Sequence, residues 1–235
     1  MEDGLLGIGA IMLSRSQRRL ETVTANVANM STPGFKKQRI AENFADTLGA
    51  TAPVSPPRTD FTQGSLRSTT GELDLAISGT GFFQVRDQNG DLFFTRSGQF
   101  SRGLDNVVTD GRGMALVDAN GGDIKLPSGT VEVSENGTII HNGRPIARIA
   151  LYTGEDGKAL PAYAGSLFTG NDRDMVEVAN PLIRQGKLEN ANVEMSFEMT
   201  EVMSAMRQAE TGSRIIQTFD ALMGQTISTF GRGGR

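Results

Sequence analysis

The chain has 235 residues, 37% of them hydrophobic, a net charge of −4 and no cysteine. That is enough for one good core or two small ones, and the charge gives no reason to expect nucleic acid as a partner. The missing cysteines exclude disulfides and thiolate chemistry, which suits a reducing compartment and equally a protein exported without bridges.

In chain order, the first feature is the run "LLGIGAIML" at residues 5 to 13. It has the length of a signal-peptide core, but Glu2 and Asp3 precede it where positive charge belongs, and Arg15, Arg18 and Arg19 follow. It is too short to span a bilayer. Leu6, Leu13, Leu20 and Val27 recur at a spacing of seven, and Val23 and Met30 form part of a second row, which predicts an amphipathic helix with an apolar seam. The helix runs into "ANVANMSTPGFKK", residues 25 to 37, where Pro33 and Gly34 stop it and Asn26 and Asn29 hold out amides. Phe35 is placed to anchor the exit.

The prolines of "TAPVSPPRTD", residues 51 to 60, read as a linker. From about Phe61 to Pro181 the pattern changes to short apolar or alternating runs punctuated by glycine and asparagine, such as "LDLAISGTGFFQV" and "LFFTRSGQF". That predicts antiparallel β structure. Asn89-Gly90, Asn136-Gly137 and Asn142-Gly143 suit tight turns, the first two lying between strand-like runs. Residues 178 to 192 read as a second linker with room for a short edge strand. A last helix is predicted from the three- and four-residue steps of Met195, Met199, Val202, Met206, Ala209, Ile216, Met223, Ile227 and Phe230, interrupted by Ser213 and Asp220. It would run roughly 50 Å at about 1.5 Å per residue.

The expected fold class is thus α+β, with long N- and C-terminal amphipathic, coiled-coil-like helices flanking an inserted antiparallel β domain. The expected organisation is residues 1–35 and 190–235 as a helical assembly region, 36–60 as a linker and 61–189 as the β domain. The two seams can pair inside one molecule, but the C-terminal one is the longer, so a part of it needs cover from other subunits.

Catalytic readings find little support. His141 is the only histidine and sits beside a turn; Asp74 and Asp110 could be offered as a glycosidase pair but suit a strand and a turn. The pairs in "GIGAIM", "GTGFF" and "GRGMAL" lack the strand, spacing and lysine of a phosphate loop. The expectation is a protein that is no enzyme and has no cofactor, no metal site and no small-molecule substrate.

Four stretches in this order, "ANVANMSTPGFKK", "QGSLRSTTGELDLAISGTGFFQV", "FFTRSGQF" and "NVVTDGRGMALV", followed by the long C-terminal helix, resemble the bacterial flagellar rod and hook proteins. The chain departs from many of them at Ala25, where they carry a second asparagine, and at Ala209, where they carry an aromatic. The resemblance implies a structural subunit exported unfolded by the flagellar apparatus, without a cleaved signal peptide and without membrane insertion. Copies of the chain and homologous subunits would polymerise through their terminal helices into the periplasmic rod. The short stretch between Phe44 and Phe61 points to the proximal rod; a distal-rod or hook subunit, or a secreted β-rich binding module, are the alternatives. The residues implicated in assembly are Leu6, Leu13, Leu20, Val23, Asn26, Val27, Asn29, Met30, Gly34 and Phe35 at one end, and the nine seam positions from Met195 to Phe230 at the other.

Overall fold

A computed structural model describes residues 2–40, 56–155, 160–170 and 174–232, with side chains from residue 7 to residue 225 of the terminal helices. Most of the first expected linker, 41–55, lies outside these residues, as do the side chains of Leu6, Ile227 and Phe230. Contacts divide the chain into two units: residues 1–28, 38–58 and 193–235 form one, residues 29–37 and 59–192 the other. No described helix is long and apolar enough to cross a membrane.

The first unit is built on two helices, α1 (Glu2–Ala28) and α2 (Met195–Arg232), which run antiparallel against each other. The fully buried line shares only Val23 with the predicted seam. On α1 it is Gly9, Ser16 and Val23, spaced by seven, and on α2 it is Glu198, Ala205 and Gly212, spaced by seven again. The backbones come so close that a Cβ on Gly212 would lie 3.1 Å from the Gly9 carbonyl oxygen and 3.2 Å from Met12 Cβ. Small residues are what permit this approach. Ser16 Oγ donates to the Ala205 carbonyl across the seam, and Arg19 Nε donates to Glu201 at 2.7 Å beside it.

At the far end of the same unit Asn26 is buried and uses its whole amide. Its Oδ1 accepts from Gln38 N at 2.9 Å, and its Nδ2 donates to Gln38 O at 2.9 Å and to Glu198 Oε2 at 3.2 Å. The amide of Asn26, which the sequence shows only as held out at the helix end, is therefore spent within its own chain. With Gly9 level with Gly212, α1 has seven residues left to its start at Glu2, while α2 continues for twenty to Arg232.

Eighteen short strands are described. They are β1 (Gln38–Arg39), β2 (Arg58–Thr59), β3 (Leu66–Ser68), β4 (Leu75–Ile77), β5 (Phe82–Arg86) and β6 (Leu92–Thr95). Next come β7 (Phe100–Arg102), β8 (Val108–Asp110), β9 (Ala115–Leu116), β10 (Glu132–Val133), β11 (Thr138–His141) and β12 (Arg144–Arg148). The last are β13 (Leu151–Gly154), β14 (Ala162–Ala164), β15 (Leu167–Phe168), β16 (Met175–Glu177), β17 (Ile183–Gln185) and β18 (Lys187–Glu189).

In the second unit the main sheet has the order β14-β15-β6-β5-β9-β8-β7, with β13 pairing both β5 and β16. A smaller sheet runs β10-β11-β12. Their registers are antiparallel, as the alternating runs predict. The core gathers Leu75, Ile77, Phe83, Val85, Leu116 and Ile139, and a second cluster stacks Phe61, Phe82 and Phe168 with ring centroids 5.3 to 5.5 Å apart.

One local device recurs at the hairpins. Asp87, Asp110 and Asp118 each accept, through Oδ1, the backbone N–H groups two and four residues on. An aspartate does this because its short carboxylate reaches amides the turn leaves unpaired. Asp110, weighed above with Asp74 as a glycosidase pair, sits in a turn whose amides it accepts, and Asp74 Oδ2 accepts from Thr69 Oγ1 at 2.6 Å.

The second linker holds more strand than the one short edge strand it left room for. Residues 183 to 189 are β17 and β18, paired with β4 and β3, and the chain bends between them at Gly186, whose φ is +70°. The apolar content that marks a strand is only Ile183 and Leu188 here, too sparse to give a period.

The helix packing makes a testable contrast. Gly212→Leu is expected to cost about 1–3 kcal/mol by overpacking, whereas Gly224→Ala, with open space around it, is expected to gain up to about 1 kcal/mol in helix propensity. Thermal melting followed by far-ultraviolet circular dichroism reads both; equal shifts would contradict the close seam.

Candidate assembly surface

At about 100° per residue, Met195, Met199, Met203 and Met206 fall at roughly 0°, 40°, 80° and 20° around α2, one stripe about 80° wide. All four are exposed, Met206 to 55%. The line Glu198, Ala205, Gly212 that faces α1 lies about a third of a turn away, so the pairing of the two helices leaves the stripe uncovered. Phe197, 48% exposed, lies beside it in sequence. Such a row of unbranched thioethers fits several partner shapes at small cost, and an exposed apolar patch of this kind is the usual mark of a contact surface.

The predicted seam residues now have places. Met195, Met199, Met206 and Met223 are exposed, while Val202, Ala209 and Ile216 are half-buried. The reason is geometric: a seven-residue row drifts by about 20° per repeat on a straight helix, so the row starts on the open stripe and slides toward α1. Met223 ends on the α1 side, but beyond the reach of α1, and with Leu222 it stays open to solvent. On α1, Leu13 is exposed and so is Ile8, Leu20 and Val27 are half-buried, and Val23 alone of the predicted row is fully covered. Met203 was missed by the seam reading, although its spacing of four from Met199 is the signal that finds it.

In the second unit, the residues after α1 are held by charge. Met30 is exposed and Asn29 half-buried, and the Asn29 carbonyl accepts from Thr32 N at 2.9 Å in the turn that ends the helical run. Gly34 has φ +68° and lies so near the Arg96–Ser97 peptide that a Cβ would come within 2.3 Å of it, so glycine is required there. Phe35 is buried.

Next to it the Lys36 ammonium, fully buried, donates to Glu189 Oε1 at 2.6 Å and to the Thr62 carbonyl at 2.7 Å. Glu189 Oε1 also accepts from Gly64 N at 2.9 Å, and the Glu189 backbone carbonyl accepts from Gly34 N at 2.8 Å. Arg96 completes the group: its Nη1 is 3.7 Å from Glu189 Oε2, its Nη2 donates to Gly79 O at 2.6 Å, and its guanidinium sits 5.5 Å from the Phe82 ring centroid. Burial pushes both cations below their ordinary values, with the Glu189 charge opposing it in each case.

Three family models match the chain: the flagella basal body rod protein over residues 12–36, the flagellar hook protein FlgE/F/G D1 domain over 76–141, and the flagellar basal body rod FlgEFG protein C-terminal over 184–229. The chain belongs to the flagellar rod and hook protein family. Lys36, Arg96 and Glu189 come one from each matched segment.

Among its relatives, the flagellar basal-body rod protein FlgF of Caulobacter vibrioides is 27% identical, across 98% of this chain and 99% of that one. FlgF of Rhizobium meliloti is 27% identical across 92% of both. FlgG of Bacillus subtilis is 27% identical across 90% of this chain and 93% of its own. The chain is a structural basal-body rod protein of the FlgF and FlgG kind.

Removing the anion of the buried group should be severe. Glu189→Gln leaves Lys36 and Arg96 buried without a counter-charge, and a loss of roughly 3–5 kcal/mol in urea unfolding is expected. A loss below about 1 kcal/mol, the size of an exposed pair, would contradict this reading.

Proposed function

We propose that this chain is a subunit of the proximal rod, polymerising through its terminal helices into the periplasmic shaft that transmits torque. The observation that carries the proposal is the methionine stripe: four large apolar side chains on one face of α2 that its own partner helix does not reach. Full burial of a side chain of that class stabilises by about 1.5–3 kcal/mol. Copies of the chain and homologous rod subunits are the partners that would supply the cover. Contacts of this head-to-tail kind need not close into a ring, and an open series of them is a filament.

The pairing of α1 with α2 suggests an order of events for a chain exported unfolded. In this reading the small-residue seam orders the helices first and the stripe is buried second, at the growing tip. The absence of cysteine suits passage of an unfolded chain through the flagellar export apparatus. The brevity of the stretch between Phe44 and Phe61 supports a proximal rather than a distal-rod or hook position.

The test is Met199→Glu combined with Met206→Glu in the full chain. Both sites are exposed, so the circular dichroism spectrum and melting temperature should be unchanged within about 0.5 kcal/mol. Cells carrying the variant in place of the natural chain should lose rod assembly and swimming. Normal motility from this variant would overturn the proposal.

A further inference from the structure

The lone histidine and the third Asn-Gly pair, neither of which assembly uses, meet at one hairpin. Asn142 and Gly143 form the two-residue turn between β11 and β12, with His141 paired to Arg144 across it and positive φ at both turn residues, +51° and +74°. His141 Nδ1 lies 3.0 Å from the Thr130 carbonyl oxygen, and His141 Nε2 lies 3.0 Å from Asn142 Nδ2. A carbonyl can only accept, so Nδ1 carries the proton and Nε2 faces the carboxamide nitrogen.

We propose that Asn142 is a site of spontaneous deamidation, with His141 supplying the proton to the departing nitrogen. The Gly143 backbone nitrogen attacks Asn142 Cγ, passing its proton to solvent water as the N–Cγ bond forms, and the same solvent later restores the proton that His141 gives up. The Cγ–Nδ2 bond then breaks, and Nδ2 takes a proton from Nε2 of the imidazolium and leaves as ammonia. Water opens the resulting cyclic imide at either carbonyl, giving aspartate or isoaspartate. The sum is one water consumed and one ammonia released. The Thr130 carbonyl accepts from Nδ1 in the imidazolium as well as in the neutral ring.

The other two pairs are held differently. Gly90 N donates to Asp87 O at 3.2 Å and Asn89 Nδ2 to Asp87 Oδ2 at 3.0 Å, so nucleophile and leaving group are both engaged. Gly137 N donates to Ser134 O at 2.9 Å, Asn136 Oδ1 accepts from Thr138 N at 3.0 Å, and a Cβ on Gly137 would lie 2.3 Å from the Ile149 carbonyl oxygen. Gly143 stands in open space, and its N–H donates no hydrogen bond among the described residues. Conversion there puts a carboxylate beside the exposed Arg144, and as isoaspartate adds a backbone methylene that a two-residue turn cannot absorb.

The experiment is warm incubation of the purified full chain in neutral buffer, folded and in urea, followed by peptide mapping that separates asparagine, aspartate and isoaspartate at all three pairs. Asn142 is expected to convert about tenfold faster than Asn89 and Asn136 when folded, well short of the ~10²-fold or more of an evolved general acid, and at a similar rate to them in urea. His141→Gln should slow Asn142 several-fold and leave the other two pairs unchanged. Equal rates at the three pairs in the folded chain, or an unchanged Asn142 rate in His141→Gln, would overturn the proposal.

Discussion

Two helices from opposite ends of a chain come within backbone contact only where their side chains nearly vanish, and Gly9 against Gly212 is where that happens here. The remaining features of the helical unit follow from this constraint. Because the fully buried line of the seam is made from glycine, alanine, serine, Val23 and the buried amide and carboxylate of Asn26 and Glu198, it uses none of the methionines of α2. The four methionines Met195, Met199, Met203 and Met206 are therefore left for something else. A seam built from the methionines would have spread the helices apart and left a molecule with little to offer a neighbour.

The β unit has its own constraint, the buried cluster of Lys36, Arg96 and Glu189. A buried ion pair is weak evidence for stability, since its desolvation cost can exceed its Coulombic gain, but it is strong evidence for a fixed arrangement. Two cations around one carboxylate, with the Thr62 carbonyl, Gly64 N–H and Gly79 carbonyl as further partners, admit few alternatives, although Arg96 Nε and Nη1 and Glu189 Oε2 are buried without a hydrogen bond. Here the group ties the segment after α1 to the strand before α2, residues more than 150 apart in the sequence. The points where the chain enters and leaves the β unit are thereby set side by side.

The sequence made the outline of this fold legible and hid its joints. Strand-like runs such as Phe82–Arg86 and Leu92–Thr95, and the Asn-Gly turns, were readable because period and turn chemistry are local properties. The α2 helix was readable from its methionine steps, and the same steps marked the exposed stripe. The true helix seam was not, apart from Val23, because its other members are Gly, Ser, Ala and Glu and carry little hydrophobic signal; only their spacing of seven on both helices could have betrayed them. Lys36 and Glu189 carry no local signal, since nothing within a short window says that a charge will find partners from the far ends of the chain. β17 and β18 were hidden for a related reason: their pairing with β4 and β3 is distant, and their own apolar content is slight.

Methionine oxidation tests the central claim, that the stripe on α2 is open in the single chain and covered in the polymer. With dilute peroxide, the free subunit is expected to form sulfoxide rapidly at Met195, Met199, Met203 and Met206, while Met114, buried in the β unit, reacts slowly. In isolated rods the same four should be protected to the level of Met114. Equal oxidation of the stripe in subunit and rod would show that no neighbour covers it, and the account would fail.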